Sequence, residues 1–388
     1  KVAVVANHTS INNHGTGIID LFINAGIDVV KIFSPEHGFT GKIEAGQYIS
    51  GSLYDTIPII SLYGKNKKPN DHDLKDIDVI IFDIQDIGSR YYTYTSTLTY
   101  MMEAAARSGI KFIVLDRVNP IGRTVRGPIL ELDYKSFVGM HPLPIRHGMS
   151  IGELAYMIND QGYLENSANV DLEIIPVKGD FLYDDRMTWN KPSPNIIDFE
   201  SAILYSGFCL LEGTNLSEGR GTLYPFKIFG APWLDSKKLI KSLSSDQDIK
   251  YIKFNEYNFI PKTMESARFP KYLNTKVNGV ELSIDKAKIN NYDKEDCLNS
   301  KDMYYWSQND NSCYIYPDPI VVALKIIKYV AENHPRDFEI LESGFINKLF
   351  GSAKLSNSIK DNSIDSLIVT FKNEEELFSN YREKYLLY

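Results

Sequence analysis

The first 120 residues of the chain alternate between short apolar runs and stretches with helical spacing. Five apolar runs predict strands: Val2–Ala6, Val29–Phe33, Ile57–Ser61, Val79–Phe82 and Phe112–Leu115. Two intervening stretches place apolar residues at i, i+3, i+4 and i+7, which predicts helices with one apolar face: Ile18 to Ala25 and Leu98 to Ala105. Strands that alternate with such helices predict an α/β fold with a mostly parallel sheet flanked by helices.

The pattern changes twice further along the chain. Residues Val125 to Trp233 are rich in glycine, proline and charged residues, which is typical of shaped loops in an ordered enzyme. After Leu234 the pattern predicts two strands and two helical segments: Ile252–Phe259, Val280–Ile284, Ile320 to Val330 and Ile364 to Tyr388. We therefore predict a catalytic domain at residues 1–233 and a smaller α+β domain at residues 234–388.

Composition narrows the possible functions. The 388 residues are 43% hydrophobic, which is enough for two packed interiors. The formal charge of -8 leaves no basic excess to neutralise phosphates, so we predict neither nucleic-acid nor anionic-membrane binding. No apolar run is long enough to span a membrane. Because Lys1 opens directly on a strand pattern, we expect that the natural chain extends further upstream. This leaves a removed export signal open, and composition alone does not decide the compartment.

Several common cofactor and metal signatures are missing from the sequence. Cys209, Cys297 and Cys313 are widely spaced and contain no C-x-x-C pair, so we expect buried thiols rather than a disulfide framework or a zinc site. Neither a phosphate loop nor a dinucleotide fingerprint occurs, and the G-x-S-x-G motif is absent. The sequence therefore predicts no cofactor and no metal.

Polar clusters follow the predicted strands, and in parallel sheets ligands bind at that edge. Glu36 and His37 follow the second strand and can form an acid/base centre, beside Gly38, which permits close approach of the backbone. The alternative is that Glu36 caps backbone amides and His37 is a structural donor. We favour a catalytic role for both residues.

The segment from Asp83 to Tyr94 follows the most continuous apolar strand. It predicts catalytic carboxylates and ligand-binding side chains at one turn: Asp83, Asp86, Gln85, Arg90, Tyr92 and Tyr94. The alternative is that Asp86 or Ser89 caps a helix and the tyrosines pack in the interior. Capping explains one of these residues but not all, so we favour a site.

Further binding candidates come from other strand ends and loops. They are Asn7, Arg117, Asn119, Arg146, His147, Asn215, Glu218 and Arg220. Their alternatives are ion pairing, helix capping and solvated turns, and Glu153 is assigned to a capping box with Ser150. Eight of the 11 arginines lie between Arg90 and Arg220. Since arginine grips carboxylates and phosphates, we expect an anionic group on the ligand. We expect at least two of Arg90, Arg117, Arg146 and Arg220 to face one cleft, and one of them to bind that group.

A series of motifs resembles the exo-acting β-N-acetylmuramidase family of bacterial glycoside hydrolases. The motifs are Ser34–Gly41, Glu44–Gly46, Phe82–Tyr94, Leu115–Gly122, Arg146–Ser150, Pro192–Asn195, Glu212–Thr222, Gly230–Trp233 and Arg382–Tyr388. They run nearly from end to end of the chain in one order. So many long motifs are specific for the family.

The resemblance implies a Rossmann-like domain, a smaller C-terminal domain and a cleft between them. It also implies release of N-acetylmuramic acid from the non-reducing ends of peptidoglycan-derived sugars or muropeptides. We predict no protein partner. The family's favoured catalytic carboxylate falls on Glu36, beside His37. We expect Glu36 to be the general acid. The lactyl carboxylate of the sugar agrees with the clustered arginines. The family's signal peptides imply export, so we expect a periplasmic or extracellular protein.

The partner of Glu36 is less defined. We favour Asp83 or Asp86, because a strand end is held more rigidly than a loop. Glu44 and Glu218 are alternatives. The acetamido group of the substrate can also attack its own anomeric carbon, with help from Tyr92 or Asn215.

Two other functions remain open from the sequence. One is a sugar-binding protein that has the cleft but no catalysis. The other is an amidase or esterase that acts on cell-wall fragments, in which Ser89 or Ser217 would need a histidine within reach.

Overall fold

A seven-stranded sheet organises the N-terminal half of the chain. The computed structural model describes residues 1–41, 52–64, 66–178, 189–249, 251–285, 287–289, 304–307, 312–315 and 318–388. The strands of this half are β1 (Val2–Ala6), β2 (Val29–Ser34), β3 (Ser52–Tyr54), β4 (Ile57–Ser61), β5 (Val79–Asp83), β6 (Lys111–Leu115), β7 (Arg126–Ile129), β8 (Pro144–Arg146) and β9 (Leu172–Ile175). The order in the large sheet is β3-β4-β2-β1-β5-β6-β9, and β7 pairs separately with β8.

The large sheet is mostly parallel. β1 pairs in parallel with β2 and β5, β5 with β6, and β6 with β9, whereas β3 is antiparallel to β4 at one edge. β1 and β5 are almost entirely buried because helices cover both faces of the sheet, which explains their continuous apolar runs. The predicted fold class and its five strands are confirmed. β3 and β9 were not predicted, since three or four residues at an edge carry little periodic signal.

Helices follow the strands along the chain. They are α1 (Ile18–Asn24), α2 (Tyr94–Ser108), α3 (Ile151–Asp160) and α4 (Phe199–Phe208). α1 and α2 confirm the helical spacing. The hydroxyl of Ser150 accepts from the backbone N–H of Glu153, whose carboxylate accepts from the backbone N–H of Ser150, so the predicted capping box opens α3. α4 lies in the segment that was interpreted only as loops.

The C-terminal half contains smaller antiparallel sheets and further helices. Its elements are α5 (Ser236–Leu243), β10 (Ile228–Ala231), β11 (Ile252–Glu256), β12 (Asn278–Ile284), β13 (Ala287–Ile289), β14 (Tyr304–Ser307), β15 (Ser312–Ile315), α6 (Pro319–Asn333), α7 (Phe345–Phe350), α8 (Lys354–Lys360) and α9 (Ile364–Arg382). The sheet orders are β10-β12-β11 and β13-β15-β14. β10 precedes residue 234 and pairs with β12, so this sheet takes strands from both sides of the predicted domain boundary.

The two halves pack closely against each other. A Cβ on Gly207 of α4 would lie 1.8 Å from the carbonyl oxygen of Pro319 at the start of α6, so these helices meet almost backbone to backbone. At the C-terminus, the Tyr388 hydroxyl donates to Asp116 at the end of β6. The C-terminal elements therefore fix the loops at the carboxyl edge of the large sheet.

The cysteines differ from the prediction. Cys313 is disulfide-bonded. Cys209 is a buried free thiol, as expected, and burial raises its pKa. The disulfide was missed because the cysteine spacing matches no recognised framework.

In the described part of the chain, no helix is long and apolar enough to cross a bilayer.

Candidate active site

One cavity of about 430 Å³ lies where the carboxyl end of β2 meets the start of α2. We call it the Glu36 cavity. Its lining comes from both halves of the chain: Glu36, His37, Tyr63, Lys67, Tyr91, Tyr92, Thr93, Ser136, Phe137, Val138, Ser193, Asn195, Ile196, Tyr205, Cys209, Glu212, Arg220, Phe226, Phe345, Lys348 and Leu349. Four predicted site residues, Glu36, His37, Tyr92 and Arg220, therefore share one cavity.

Glu36 and His37 lie in a tight turn directly after β2. His37 has a φ of 71°, and the backbone N–H of Gly38 donates to the carbonyl of Pro35 at 3.0 Å. Both side chains are largely buried. The hydroxyl of Thr93, the residue before α2, donates to Oε2 of Glu36 at 2.5 Å. The turn and this hydrogen bond fix the carboxyl group in one orientation at the cavity wall.

A second carboxylate, that of Glu212, lines the same cavity. Arg220 donates through Nε and Nη2 to its Oε1, at 2.9 and 2.6 Å. Arg220 also lies over the ring of Phe226, with 5.1 Å between the guanidinium carbon and the ring centroid. Arg220 is thus committed to protein groups. Glu212 was missed as a site residue, although it opens one of the motifs noted in the sequence.

Glu218 lies behind this pair and does not line the cavity. Its Oε2 is 2.9 Å from Nζ of Lys271, and its Oε1 is 3.8 Å from Nε of Arg220. Burial alone would raise the pKa of Glu218, but the charges of Lys271 and Arg220 outweigh burial and lower it. Glu218 therefore supports Arg220 and is not itself positioned to bind a ligand.

Aromatic rings form much of the remaining wall. Phe137 stacks on Tyr100, with ring centroids 6.1 Å apart, and lies 6.0 Å from the ring of Tyr63. Tyr205 lies edge-on to Tyr91 and Tyr92 at 5.4 and 6.1 Å. Such rings give the apolar face of a sugar a surface to pack against. None of these contacts between distant segments was predictable from the sequence.

A second cavity, of about 680 Å³, lies at the carboxyl ends of β1, β5 and β6. We call it the Asp83 cavity, and its lining includes the predicted residues Asp83, Gln85 and Arg117. Nε of Arg117 donates to Oδ1 of Asp83 at 2.6 Å, and Gln85 donates to the carbonyls of Asp86 and Val118. Asp83, the favoured partner of Glu36, thus lines a different cavity and is already paired.

Asp86 and His147 form a buried pair that lines neither cavity. Nε2 of His147 lies 4.0 Å from Oδ2 of Asp86, which accepts from the backbone N–H of Gly88 at 2.7 Å. Burial raises the pKa of Asp86 to about 7 and lowers that of His147 to about 3. Since Nδ1 of His147 accepts from the backbone N–H of Met149, the neutral ring carries its proton on Nε2. Asp86 and His147 therefore do not reach the ligand space.

Two of the expected ligand-binding arginines have structural roles instead. Arg90 is buried, and its guanidinium donates to the carbonyls of Pro128, Leu143, Leu349 and Phe350 at 2.6 to 2.8 Å. Arg146 is fully buried and donates to the carbonyl of Ile121. Neither of them lines the Glu36 cavity, because loops that meet inside a protein also need multidentate donors for their carbonyls. Of the other two arginines, Arg220 lines the Glu36 cavity and Arg117 lines the Asp83 cavity.

The other predicted binding residues also serve the scaffold. Asn7 donates to the hydroxyl of Tyr94, which donates to the carbonyl of Pro192, both at 3.0 Å. Asn119 donates to the carbonyl of Met149, and Asn215 donates to that of Asp337. These side chains are absent from the lining of the Glu36 cavity. Glu44, an alternative partner of Glu36, lies outside the described residues, and no described group of His, Cys, Asp and Glu could hold a metal ion.

Comparisons with known proteins agree with this architecture. The family described as exo-β-N-acetylmuramidase NamZ matches the chain with its N-terminal part at residues 2–200 and with its C-terminal part at residues 203–298 and 313–388. The peptidoglycan β-N-acetylmuramidase NamZ of Bacillus subtilis (strain 168) is 36% identical over 400 residues, covering 100% of this chain and 87% of that protein.

Two crystal structures of DUF1343 family proteins from Bacteroides fragilis have the same fold. One superposes with a TM-score of 0.81 at 27% identity, and the other with a TM-score of 0.72 at 33% identity. Each comparison covers 100% of this chain and 94% of the other.

The parallel sheet, the carboxylate-containing cavity at its edge and these matches define a glycoside hydrolase. The chain belongs to the exo-β-N-acetylmuramidase NamZ family, because the family matches nearly its whole length. The resemblance noted in the sequence motifs is confirmed.

Proposed function

We propose that this chain removes N-acetylmuramic acid from the non-reducing ends of peptidoglycan fragments, with Glu36 as the general acid. The similarity to the Bacillus subtilis peptidoglycan β-N-acetylmuramidase over the whole chain supports the reaction. The structural observation that carries the proposal is the pair of carboxyl groups, those of Glu36 and Glu212, in one cavity lined with aromatic rings. Glycoside hydrolysis generally uses such a pair, one on each side of the scissile bond.

Glu36 suits proton transfer to the leaving oxygen. The Thr93 hydroxyl holds Oε2, so the orientation of the carboxyl group is set before the substrate binds. A positioned acid that protonates the leaving group contributes about 10² to 10⁴ in rate. His37, in the next position of the same turn, lines the cavity beside it.

Glu212 is the partner that we assign to Glu36. It lines the same cavity, and Arg220 fixes one of its oxygens by two hydrogen bonds. Asp83 lies in the other cavity and is paired with Arg117. We therefore expect Glu212→Gln to lower kcat by about 10²-fold or more, and Asp83→Asn to keep kcat within about threefold. If Asp83→Asn lowers kcat by about 10²-fold and Glu212→Gln leaves it nearly unchanged, Glu212 is not the partner.

A serine hydrolase is disfavoured by the position of the two candidate serines. Ser89 is fully buried and Ser217 is nearly so, and neither lines the Glu36 cavity. Ser217 accepts a hydrogen bond from the backbone N–H of Gly219. A nucleophilic serine would need to face the ligand with a base beside it.

The proposed reaction is tested with a chromogenic N-acetylmuramic acid glycoside and with glycan chains of defined ends. We expect release of the chromophore, and stepwise release of N-acetylmuramic acid only from chains that carry it at the non-reducing end. Binding without turnover would indicate a sugar-binding protein. Turnover of acyl or peptide substrates in place of glycosides would indicate an amidase or esterase.

We also infer that the protein works outside the cytoplasm. Peptidoglycan is found there, and the disulfide of Cys313 is typical of an oxidising compartment. Titration of free thiols in the denatured, unreduced protein from its native source tests this. Recovery of every cysteine as a free thiol, or of the protein only in the cytoplasmic fraction, would contradict the inference.

A further inference from the structure

Three cationic side chains line the Glu36 cavity, and they differ in how they are paired. Arg220 is bound to Glu212 at 2.6 Å and lies 3.8 Å from Glu218. Lys67 and Lys348 also line the cavity, but no carboxylate of the described part of the chain forms an ion pair with either. The positive charge available to a ligand is therefore on the lysines and not on the arginine.

Lys67 is the better positioned of the two lysines. Its Nζ lies 4.3 Å from the ring centroid of Phe137, a cation–π contact, and the side chain is half-buried. The Phe137 ring is stacked on Tyr100, and the Ser96 hydroxyl donates to the Phe137 carbonyl at 2.7 Å. The ammonium group is thus held on a rigid wall. Lys348 is exposed on α7, where water screens its charge.

The neighbouring lysine shows the contrast. Nζ of Lys68 lies 3.0 Å from Glu103, and Lys68 also pairs with Glu165. Lys68 therefore holds its loop in place. Lys67, one residue earlier, turns to the cavity instead. The loop presents one lysine to the scaffold and one to the ligand space.

N-acetylmuramic acid differs from N-acetylglucosamine by a lactyl ether that carries a carboxylate. An ammonium group on a partly desolvated wall attracts such a carboxylate more strongly than it would in bulk water. We propose that Lys67 binds the lactyl carboxylate and so selects N-acetylmuramic acid, while the rings of Phe137 and Tyr63 line the same wall. This inference rests on the proposed function and replaces the arginines expected from the sequence.

The test is a cycle that pairs two enzymes with two ligands. The enzymes are the wild-type protein and Lys67→Met, which keeps most of the side chain's length but removes its charge. The ligands are N-acetylmuramic acid and its lactyl methyl ester, measured as competitive inhibitors of glycoside turnover. We expect the wild-type protein to prefer the acid by about tenfold, equivalent to about 1.4 kcal/mol. Lys67→Met should bind both ligands equally.

Matched variants separate binding from folding. Lys67→Arg should restore at least part of the preference for the acid, and its effect should shrink as salt is raised. Lys360→Met is the control, because it also removes one positive charge, but at an exposed position on α8 that does not line the Glu36 cavity. It should leave both inhibition constants unchanged. Thermal melting of each variant should stay close to that of the wild-type protein. Lys67 forms no ion pair among the described residues, and a methionine or arginine side chain at this position can still pack on the ring of Phe137.

Two failures are distinguishable. If the wild-type protein does not hydrolyse the N-acetylmuramic acid glycoside at all, the proposed function itself is wrong. If it does, and Lys67→Met retains the same preference for the acid within twofold, the function stands and Lys67 is not the specificity residue. Loss of the acid preference in the inhibition constants of Lys67→Met, while Lys67→Arg keeps part of it, supports the inference.

Discussion

Replacement of Asp86 with asparagine tests the charge state of the buried pair with His147. The two side chains have nearly the same shape, and an asparagine carbonyl can accept the hydrogen bond that Oδ2 now accepts from Gly88. The variant therefore removes an ionisable proton while it keeps the geometry. Oδ1 of Asp86 has no hydrogen-bond partner among the described residues, so an amide nitrogen at this position breaks no hydrogen bond.

The expected effect depends on pH in a defined direction. Burial raises the pKa of Asp86 from 3.8 to about 7, so between these values the folded state holds a proton that the unfolded state has released. The free energy of unfolding of the wild-type protein should therefore fall as pH rises towards 7 and then level off. From pH 5 to pH 8.5, two pKa units at 1.36 kcal/mol each give a loss of about 3 kcal/mol from this group.

Asp86→Asn has no carboxyl group at this position, so its free energy of unfolding does not fall with pH for this reason. We expect the difference in free energy of unfolding, variant minus wild type, to increase by about 3 kcal/mol between pH 5 and pH 8.5. Denaturant unfolding followed by circular dichroism measures it. Burial also raises the pKa of Glu375 to about 7, but that group is present in both proteins and cancels in the difference. A difference that does not change with pH, or that changes in the opposite direction, would refute the reasoning.

Two further variants test single contacts. Thr93→Val removes the hydroxyl that holds Oε2 of Glu36 and should lower kcat by about tenfold with little change in KM, whereas Thr93→Ser should stay near wild type in the same steady-state assay. Gly207→Ala places a Cβ 1.8 Å from the Pro319 carbonyl oxygen and should lower the free energy of unfolding by at least about 1 to 3 kcal/mol. The control is Gly17→Ala, whose Cβ would meet no non-neighbouring atom closer than 3.6 Å and which should change this free energy much less. Equal midpoints of the two variants in thermal melts would contradict this.

The sequence predicted the sheet well because its central strands are buried on both faces. β1 and β5 therefore read as unbroken apolar runs, and α2 keeps one face of regular period. Glu36 and His37 were predicted for the same reason: a polar pair directly after a buried strand must lie at the carboxyl edge.

The rest of the site depends on contacts between distant segments. Glu212 follows a helix in a segment interpreted as loops, and Lys67 and Phe137 meet only in the folded protein. Arg90 was predicted to bind the ligand, but it binds backbone carbonyls in the interior. The sequence does not distinguish these two roles, because the same guanidinium donors serve both.

The most direct test of the central claim compares the wild-type protein with Glu36→Gln on a glycan that ends in N-acetylmuramic acid. Free N-acetylmuramic acid is measured by chromatography, and folding of both proteins is checked by thermal melting. The wild-type protein should release the sugar, and Glu36→Gln should do so at least about 10²-fold more slowly while it melts at the same temperature. Release by Glu36→Gln at close to the wild-type rate would contradict the account.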